Sequence, residues 1–334
     1  MKFYKLLFFI TMIMGTLISI SAYSWLGMWI GLEINMISII PLFSNYKNMY
    51  STEAAMKYFL TQALASMFII MSIILISLNS FIFYNLNQTL ILIMNSALFT
   101  KMGAAPFHFW FPEVIEGLNW SNSLILLTWQ KIAPMILIMY NIKFNFFIIT
   151  VIIMSMIVSS IMGFNQISLR KIMAFSSINH IGWMISALIN SKMIWLIYFI
   201  IYSIISINII FIFNKFKMFY LNQLISMLNS NPILKKFFFF NFLSLGGIPP
   251  FLGFFPKWMV IYNLNLNNQF FLSFILIMFT LLTFYFYMRI MFSSFLINYN
   301  SPMKNSKINS FYMINFNYIA LTSLILFPLI FNFY

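Results

Sequence analysis

Three lysines, Lys101, Lys131 and Lys257, lie inside stretches whose composition is otherwise typical of lipid-embedded helices. An ionisable group near the centre of a bilayer costs from roughly 2.5 to more than 10 kcal/mol, so such residues are rare and usually functional. Burial also destabilises an ammonium relative to its neutral amine, which favours release of the proton. These residues therefore predict chemistry in which charge moves across a membrane.

Glu33 and Lys101 form a candidate carboxylate and amine pair. Glu33 follows the start of a predicted second helix by about nine residues, which places it roughly 13 Å deep at 1.5 Å per residue. A lone carboxylate there becomes protonated unless a cation is near, as suits a proton carrier or the partner of a lysine. Moving Glu33 by a few ångströms would then release a proton from Lys101. The alternatives are a structural Glu33 that is hydrogen-bonded to a neighbouring helix and a Lys101 that extends to the interface.

The other two lysines extend this candidate path. Lys131 is central in a predicted fifth helix, with Thr128 and Gln130 as nearby polar groups, and is interpreted as the middle proton carrier. Lys257 follows a helix break and has no glutamate in its own segment, so we expect it to face a partner protein. For both lysines, a structural role is the alternative.

The two histidines are further candidates. His180 falls in the middle of a helix with Ser176 and Ser177 nearby, an arrangement that suits a hydrated proton relay. A packing histidine is the alternative. His108 lies inside a glycine and proline break, where it could cap freed carbonyls or serve as a proton-accessible group. The remaining acidic residues fall near helix ends and are predicted to be interfacial, with Lys57 reaching the same interface: Glu53, Glu113 and Glu116.

Composition restricts the class of protein that must position these groups. The chain has 334 residues, of which 63% are hydrophobic and 7% charged, so it is predicted to be an integral membrane protein with a single membrane domain over residues 1–334. It contains no cysteine, two histidines and four acidic residues, which disfavours a metal site, a cofactor or redox chemistry on the chain. The net charge of +14 is dispersed without a basic face, so nucleic acid is not a predicted partner.

Hydropathy predicts an all-α polytopic protein of about eleven transmembrane helices. The N-terminal segment begins with Lys2 and Lys5 and superficially resembles a secretory signal, but its longer apolar run favours a retained first helix. The predicted helices are 3–23, 24–44, 54–78, 89–112 with an internal break, 121–141, 145–165, 168–190, 193–214, 236–265 with an internal break, 270–297 and 310–333. The longest loop, around residues 215–235, is expected at the membrane interface.

A motif occurs twice with identical spacing. Residues 103–112 and 247–256 both match G-x-x-P-F-x-x-x-F-P, although phenylalanine is common enough for unrelated loops to be the alternative. Proline removes a backbone donor and clashes with the carbonyl four residues earlier, so each copy should break its helix. The copies lie an odd number of predicted helices apart, which predicts antiporter-like inverted repeats of about 3–141 and 145–297, followed by a helix at 310–333. Broken backbone at membrane depth marks a polar cavity or conduit.

Positive residues are distributed unequally between the two sides that alternating helices define. The side of the N-terminus would carry Lys47, Arg170, Lys171, Lys215, Lys217, Lys235, Lys236, Lys304 and Lys307. The opposite side would carry only Lys143 and Lys192. The positive-inside rule therefore places the N-terminus inside, and an odd number of helices places the C-terminus outside.

Five segments together resemble a known family, the subunit 2 family of mitochondrial NADH:ubiquinone oxidoreductase, respiratory complex I. They are MWIGLE at 28–33, STEAAMKYF at 51–59, KMGAAPFHFW at 101–110, LTWQKIAP at 127–134 and SLGGIPPFLGFFPKW at 244–258. The similarity in order and spacing covers nearly the whole chain and weakens after about residue 290. The composition, which is typical of a very AT-rich genome, suggests an insect or other arthropod copy.

The resemblance implies a proton-pumping, antiporter-like core subunit of the membrane arm, related to Mrp-type antiporters. It implies that Glu33 and Lys101 are the coupling pair, that Lys131 is the central carrier, that Lys257 passes protons onward, and that His180 belongs to the same hydrated axis. Flavin, Fe–S clusters and ubiquinone would lie in other subunits, so the enzyme's redox chemistry would not occur on this chain.

The resemblance also implies location and partners. The chain would be a multi-pass protein of the mitochondrial inner membrane, with its N-terminus on the matrix side and its C-terminus on the intermembrane-space side. Its partners would be other core and accessory subunits and membrane lipids, with cardiolipin among the candidates. Bacterial members have about fourteen helices, and this chain is expected to lack the first three.

Two rival functions remain open from the residues. A cation/proton antiporter that works alone would need an ion site with more carboxylates than four glutamates supply. A structural membrane spacer would leave the energetic cost of the buried lysines unexplained.

Overall fold

The computed structural model describes residues 3–45, 48–78, 84–142, 146–228 and 232–296. The chain divides into two compact units, Met1–Val151 and Ile152–Tyr334. In the described ranges the secondary structure is helical, and no strand occurs there. This confirms the predicted all-α class, whereas the predicted helix at 310–333 and the residues Lys2, Lys47, Lys143, Lys304 and Lys307 lie outside the described ranges.

The first unit contains seven helices and the start of an eighth. They are α1 (Phe3–Ser21), α2 (Trp25–Phe43), α3 (Met49–Leu78), α4 (Tyr84–Met102), α5 (Trp110–Gly117), α6 (Trp120–Leu127), α7 (Trp129–Asn141) and α8 (Phe146–Gly163). The remaining described helices belong to the second unit: α9 (Leu169–Asn190), α10 (Lys192–Phe216), α11 (Leu221–Leu228), α12 (Pro232–Gly246), α13 (Phe254–Leu266) and α14 (Phe270–Leu296).

Eight of the described helical stretches are long and apolar enough to cross a bilayer. They are α1, α2, α3, α6 together with α7, α8, α9, α10 and α14. The exposed side chains of these helices include many large apolar ones, such as Leu60 and Leu64 on α3 and Phe274 and Leu281 on α14. Such surfaces suit contact with lipid or with other membrane proteins.

Small residues bring α1 and α2 into close contact. A Cβ atom on Gly31 would lie 2.5 Å from the backbone nitrogen of Ser19, and one on Gly15 would lie 2.8 Å from the backbone nitrogen of Asn35. Glycine at a helix interface lets two backbones approach closely where the hydrophobic effect supplies little driving force. This contact fixes the segment of α2 that carries Glu33.

Both copies of the repeated motif end a helix in the same way. Gly103 and Gly247 have φ angles of 74° and 78°, which glycine adopts without strain. The amide of the next residue donates five residues back in each copy, from Ala104 to Phe99 and from Ile248 to Leu243. This is the Schellman arrangement of a helix C-terminus. Cis peptide bonds precede Pro106 and Pro250.

The two predicted helix breaks are therefore confirmed. The first separates α4 from α5 over residues 103–109, and the second separates α12 from α13 over residues 247–253. The first broken segment extends to Gly117 rather than ending near residue 112, because Pro112 lies in the first turn of α5, where its missing N–H has no helical acceptor to lose.

Helix α3 begins at Met49 instead of near residue 54. The charged residues near its start are paired: Lys57 contacts Glu53 at 3.0 Å and Glu113 at 2.9 Å. The hydroxyl of Ser51 also donates to the carbonyl of Asn48 at 2.7 Å. These contacts support one additional helical turn.

The predicted helix at 121–141 is interrupted at Thr128, which separates α6 from α7. Pro134 cannot donate to the carbonyl of Gln130, and its ring crowds that carbonyl, so the first turn of α7 is distorted. Thr128 has φ −114° and ψ −70°, and its hydroxyl donates to the carbonyl of Leu124 at 2.8 Å. Lys131 and Gln130 therefore lie at the beginning of a helix rather than in the middle of one.

The predicted interfacial loop at 215–235 contains α11. The side chain of Gln223 accepts from the backbone amides of Phe219 and Tyr220 at 2.8 and 3.3 Å, which stabilises the start of this short helix. The amide of Leu169 donates to the carbonyl of Phe219 at 2.9 Å and ties the segment to the start of α9. Sequence reasoning missed this helix because it has only eight residues.

Candidate functional site

Glu33 and Lys101 interact electrostatically in the first unit. Lys101 lies in the last turn of α4 and is 6% exposed, whereas Glu33 on α2 is half-buried. Glu33 and Lys101 both lie in the described part of the chain, and their interaction acts over a longer distance than an ion pair. The Oε1 atom of Glu33 is buried without a hydrogen-bond partner. A buried carboxylate oxygen without a hydrogen-bond partner is free to accept from a donor that moves within reach.

Next to this pair, two side-chain amides form a reciprocal hydrogen-bonded pair. Asn35 donates to Gln130 and Gln130 donates to Asn35, each at 3.0 Å, so the pair joins α2 to α7. The hydroxyl of Tyr58 on α3 donates to the same oxygen of Gln130 at 3.3 Å. Gln62, one turn later on α3, donates to the backbone carbonyl of Lys101 at 3.4 Å. Four helices thus contribute to one buried polar cluster.

This cluster encloses a small cavity of about 10 Å³, which is about the room that one water molecule needs. Its lining residues are Leu32, Asn35, Met36, Tyr58, Gln62, Lys101, Gln130 and Pro134. Because Pro134 has no N–H, the backbone carbonyl of Gln130 lacks its helical donor beside the cavity. A water molecule there would find several polar partners.

Lys131 is the most deeply buried of the three lysines. It is 1% exposed and lies in the first turn of α7, where the aligned backbone dipoles disfavour a cation. Its Nζ atom is 5.6 Å from the centroid of the Phe111 ring. Phe111 belongs to the first motif copy, and a Cβ atom on Gly103 would lie 3.0 Å from its ring. The helix break therefore positions the aromatic face that contacts Lys131.

His108 lies inside the first break and is 4% exposed. Its ring packs on Phe109 with centroids 4.5 Å apart, and it interacts with the backbone carbonyl of Pro106. The Nδ1 atom has no hydrogen-bond partner. Of the two roles considered for His108, capping a freed carbonyl agrees with the contact to Pro106.

Lys257, in the second unit, turns back onto the break that precedes it. It is 7% exposed, and its Nζ donates to the carbonyl of Gly246 at 2.8 Å and to that of Leu245 at 3.3 Å. The expectation that Lys257 faces a partner protein is therefore wrong. The last carbonyls of α12 lack helical donors and carry partial negative charge, so they attract the lysine inward.

His180 and Lys257 flank the same tryptophan. The Nζ of Lys257 is 5.9 Å from the centroid of the Trp183 ring, and Trp183 follows His180 by three residues on α9. The Nδ1 of His180 is 2.9 Å from the hydroxyl of Tyr198, and its ring is 4.9 Å from that of Tyr202. Of the two predicted serine partners, Ser177 is nearby, since it is hydrogen-bonded to Tyr202.

Sequence reasoning missed the polar residues that surround the lysines and the histidine: Asn35, Tyr58, Gln62, Tyr198 and Tyr202. A signal existed for the amides, because Asn35 and Gln62 interrupt long apolar runs and a buried amide requires partners. No comparable signal marked the tyrosines, which are common in this chain.

The chain contains no cysteine. In the part of the chain that the structure describes, no group of three or more histidine, aspartate or glutamate side chains could hold a metal ion. The acidic residues Glu53 and Glu113 instead pair with Lys57, and all three of these side chains are more than 40% exposed, at 61%, 57% and 43% respectively.

Comparison with known proteins gives a consistent family assignment. The family described as NADH:quinone oxidoreductase/Mrp antiporter, TM, matches residues 22–283. The NADH-ubiquinone oxidoreductase chain 2 proteins of Anopheles gambiae and Aedes aegypti are each 52% identical to this chain, over 97% of both sequences. The chain belongs to this family. The NADH-ubiquinone oxidoreductase chain 2 of Locusta migratoria is 45% identical over 91% of the chain and 90% of its own length.

Two solved structures share the fold. A chain of respiratory complex I from Thermus thermophilus, solved with bound aureothin, matches 98% of this chain and 79% of its own length with a TM-score of 0.86 at 21% identity. A chain of the Mrp complex from Dietzia sp. DQ12-45-1b matches 90% of this chain and 62% of its own length, with a TM-score of 0.76 at 14% identity. The predicted antiporter-like fold is confirmed.

Proposed function

We propose that the chain is a proton-translocating, antiporter-like core subunit in the membrane arm of mitochondrial NADH:ubiquinone oxidoreductase. One observation carries the proposal: Lys101, Lys131 and Lys257 are 6%, 1% and 7% exposed, and each lies beside a helix break or contacts a residue of the repeated motif. The relatives named NADH-ubiquinone oxidoreductase chain 2, which are 52% identical to this chain, support the assignment of these buried amines to that complex.

In this proposal Glu33 modulates the charge on Lys101, and Lys131 is the central proton carrier. Lys257 exchanges protons between this path and the far side or a neighbouring subunit. His180 serves as a relay with Tyr198, and His108 is a weaker candidate for a proton-accessible group. The polar cavity beside Lys101 supports the role of this lysine, because it provides room for about one water molecule next to the amine.

Electron transfer occurs elsewhere in this proposal. Flavin, Fe–S clusters and ubiquinone are bound by other subunits, and the chain contributes to a proton-translocating NADH:ubiquinone reductase without performing redox chemistry itself. Its partners are the other core and accessory subunits of the membrane arm and membrane lipids, including cardiolipin. It resides in the mitochondrial inner membrane with its N-terminus on the matrix side and its C-terminus on the intermembrane-space side, an orientation that the unequal distribution of positive residues supports.

The proposed organisation is one membrane domain that contains two inverted repeats, approximately residues 3–141 and 145–297. Two observations within the separate units support the repeats. Each unit carries one copy of the motif, and each copy ends a helix with the same Schellman geometry at Gly103 or Gly247.

The test is Lys131→Ala in the assembled complex, reconstituted into vesicles. We expect proton translocation coupled to NADH oxidation to fall by about tenfold or more, since a positioned proton donor contributes roughly 10²–10⁴-fold to a transfer step. Lys57→Met, at an exposed lysine, is the matched control. Unchanged pumping and turnover with normal assembly would instead support a structural spacer, and sodium-dependent transport by the purified chain would support an independent antiporter.

A further inference from the structure

Asn35 and Gln130, the reciprocal hydrogen-bonded pair, are each close in sequence to a candidate proton carrier. Asn35 follows Glu33 by two residues on α2, and Gln130 directly precedes Lys131 on α7. Their side chains are 4% and 8% exposed, and they exchange two hydrogen bonds of 3.0 Å each. One contact thus joins the helix of the carboxylate to the helix of the central lysine.

The amide pair forms part of the wall of the cavity that Lys101 also lines. Lys101 lines the cavity, whereas on the α7 side the lining residues are Gln130 and Pro134, and Lys131 is not among them. Gln130 is thus the lining residue that directly precedes Lys131, and water that reaches Lys131 from this cavity along α7 would run beside its side chain. With the amides paired, the cavity of about 10 Å³ has room for about one water molecule.

The chemistry of the pair permits opening. Each amide has a donor and an acceptor, so separation exchanges two amide–amide hydrogen bonds for hydrogen bonds to water without leaving a buried group unpaired. Tyr58 already shares the Gln130 oxygen at 3.3 Å and can keep this side chain oriented while Asn35 moves. An apolar contact at this position could close the path but could not hydrate it.

Building on the function proposed above, we propose that Asn35 and Gln130 form a hydration gate between Lys101 and Lys131. The paired amides close the gate, and their separation admits water that connects the two lysines. Both residues are positioning residues, because they orient water and hold two helices while the proton passes along water. A displacement of α2 that moves Glu33 also moves Asn35, so the charge at Lys101 and the opening of the gate are linked.

The test compares apolar and exchanged pairs in the assembled complex, reconstituted into vesicles. Asn35→Leu combined with Gln130→Met replaces both amides by side chains of similar size and leaves no orphaned buried amide, while the hydroxyl of Tyr58 loses its acceptor on Gln130. We expect this double variant to assemble normally but to pump at least about fivefold fewer protons per NADH oxidised, because one water-dependent step is blocked. Asn35→Gln combined with Gln130→Asn exchanges the two amides, and we expect it to recover pumping to within about twofold of the original protein.

Two controls separate this inference from the function on which it rests. Ser38→Ala removes a buried hydroxyl from α2 that bonds to the carbonyl of Asn35 at 2.8 Å but does not line the cavity, and it should pump normally. Lys131→Ala, measured in parallel, tests proton translocation itself. Normal pumping by the double apolar variant, with Lys131→Ala impaired, would overturn the gate alone. Failure of the exchanged pair to pump better than the apolar pair would also overturn it. Normal pumping by Lys131→Ala would overturn the underlying function.

Discussion

The side chain of Lys257 caps the end of the preceding helix by donating to the carbonyl of Gly246 at 2.8 Å and, at 3.3 Å, to that of Leu245. At the matching position of the first motif copy, the carbonyl of Lys101 accepts from Gln62 at 3.4 Å. Both breaks therefore leave helix-terminal carbonyls that a polar side chain must satisfy. In the second unit a candidate proton carrier fulfils this role, so its position depends on the geometry of the break.

We predict that Gly247→Ala impairs the site of Lys257. A Cβ atom on Gly247 would lie 2.7 Å from Cδ and 2.9 Å from Nζ of Lys257, and the φ of 78° is unfavourable for alanine by about 1–2 kcal/mol. Lys257 must then leave the carbonyls of α12. We expect coupled NADH:ubiquinone turnover of the assembled complex to fall severalfold. Normal turnover would show that the contact between Lys257 and the helix end does not matter.

The control for this variant is Gly27→Ala on α2. There the added Cβ would meet only the side chains of Ala22 and Ser24, at 3.1 and 3.2 Å. Its backbone is helical, so alanine is the more favourable residue for local structure. We expect its turnover and assembly to match those of the original chain.

Sequence alone was sufficient to predict the breaks and the burial of the lysines. Glycine and proline have consequences that depend on their own backbone, so the motifs at Gly103 and Gly247 determine the local geometry wherever they occur in a helix. The burial of Lys131 followed from the apolar residues that flank it. These inferences needed no knowledge of which helices are neighbours.

The partners of these residues could not be predicted from the sequence. Asn35 and Gln130 are 95 residues apart, and their pairing depends on how α2 and α7 pack. Lys257 was expected to face outward because no glutamate lies near it in sequence, but the carbonyl groups that hold it belong to the backbone and have no sequence signature. The contact of His180 with Tyr198 likewise depends on the packing of α9 against α10.

We predict that His180 and Tyr198 act as a unit. Tyr198→Phe removes the 2.9 Å hydrogen bond, which contributes about 0.5–1.5 kcal/mol to stability, and leaves the apolar packing of the ring in place. If His180 is a relay, Tyr198→Phe and His180→Gln should each lower proton translocation. The double variant should then translocate protons as fast as the more impaired of the two single variants. Additive losses in the double-mutant cycle would show that the two residues act independently.

We predict that Gly31→Val disturbs Glu33 through the contact between α1 and α2. The added Cβ would lie 2.5 Å from the backbone nitrogen and 2.7 Å from the Cα of Ser19, atoms that cannot move without the helix. Overpacking of this kind costs about 1–3 kcal/mol, so less complex should assemble. In the fraction that assembles, displacement of Glu33 should lower turnover. Native electrophoresis and NADH:ubiquinone reductase activity measure the two effects, and full assembly with normal turnover would contradict the prediction.

Finally, we predict that exposed and buried lysines respond differently to the same substitution. The side chain of Lys57 is 43% exposed and pairs with Glu53 and Glu113, which are also exposed, so solvent or headgroups can compensate for the loss of its charge. Lys101 is 6% exposed beside the polar cavity, where no such compensation is available for Glu33. Lys57→Met should therefore leave coupled turnover close to normal, whereas Lys101→Met should reduce it severalfold. Measured side by side in assembled complexes, equal losses would mean that total positive charge, rather than the location of the amine, determines activity.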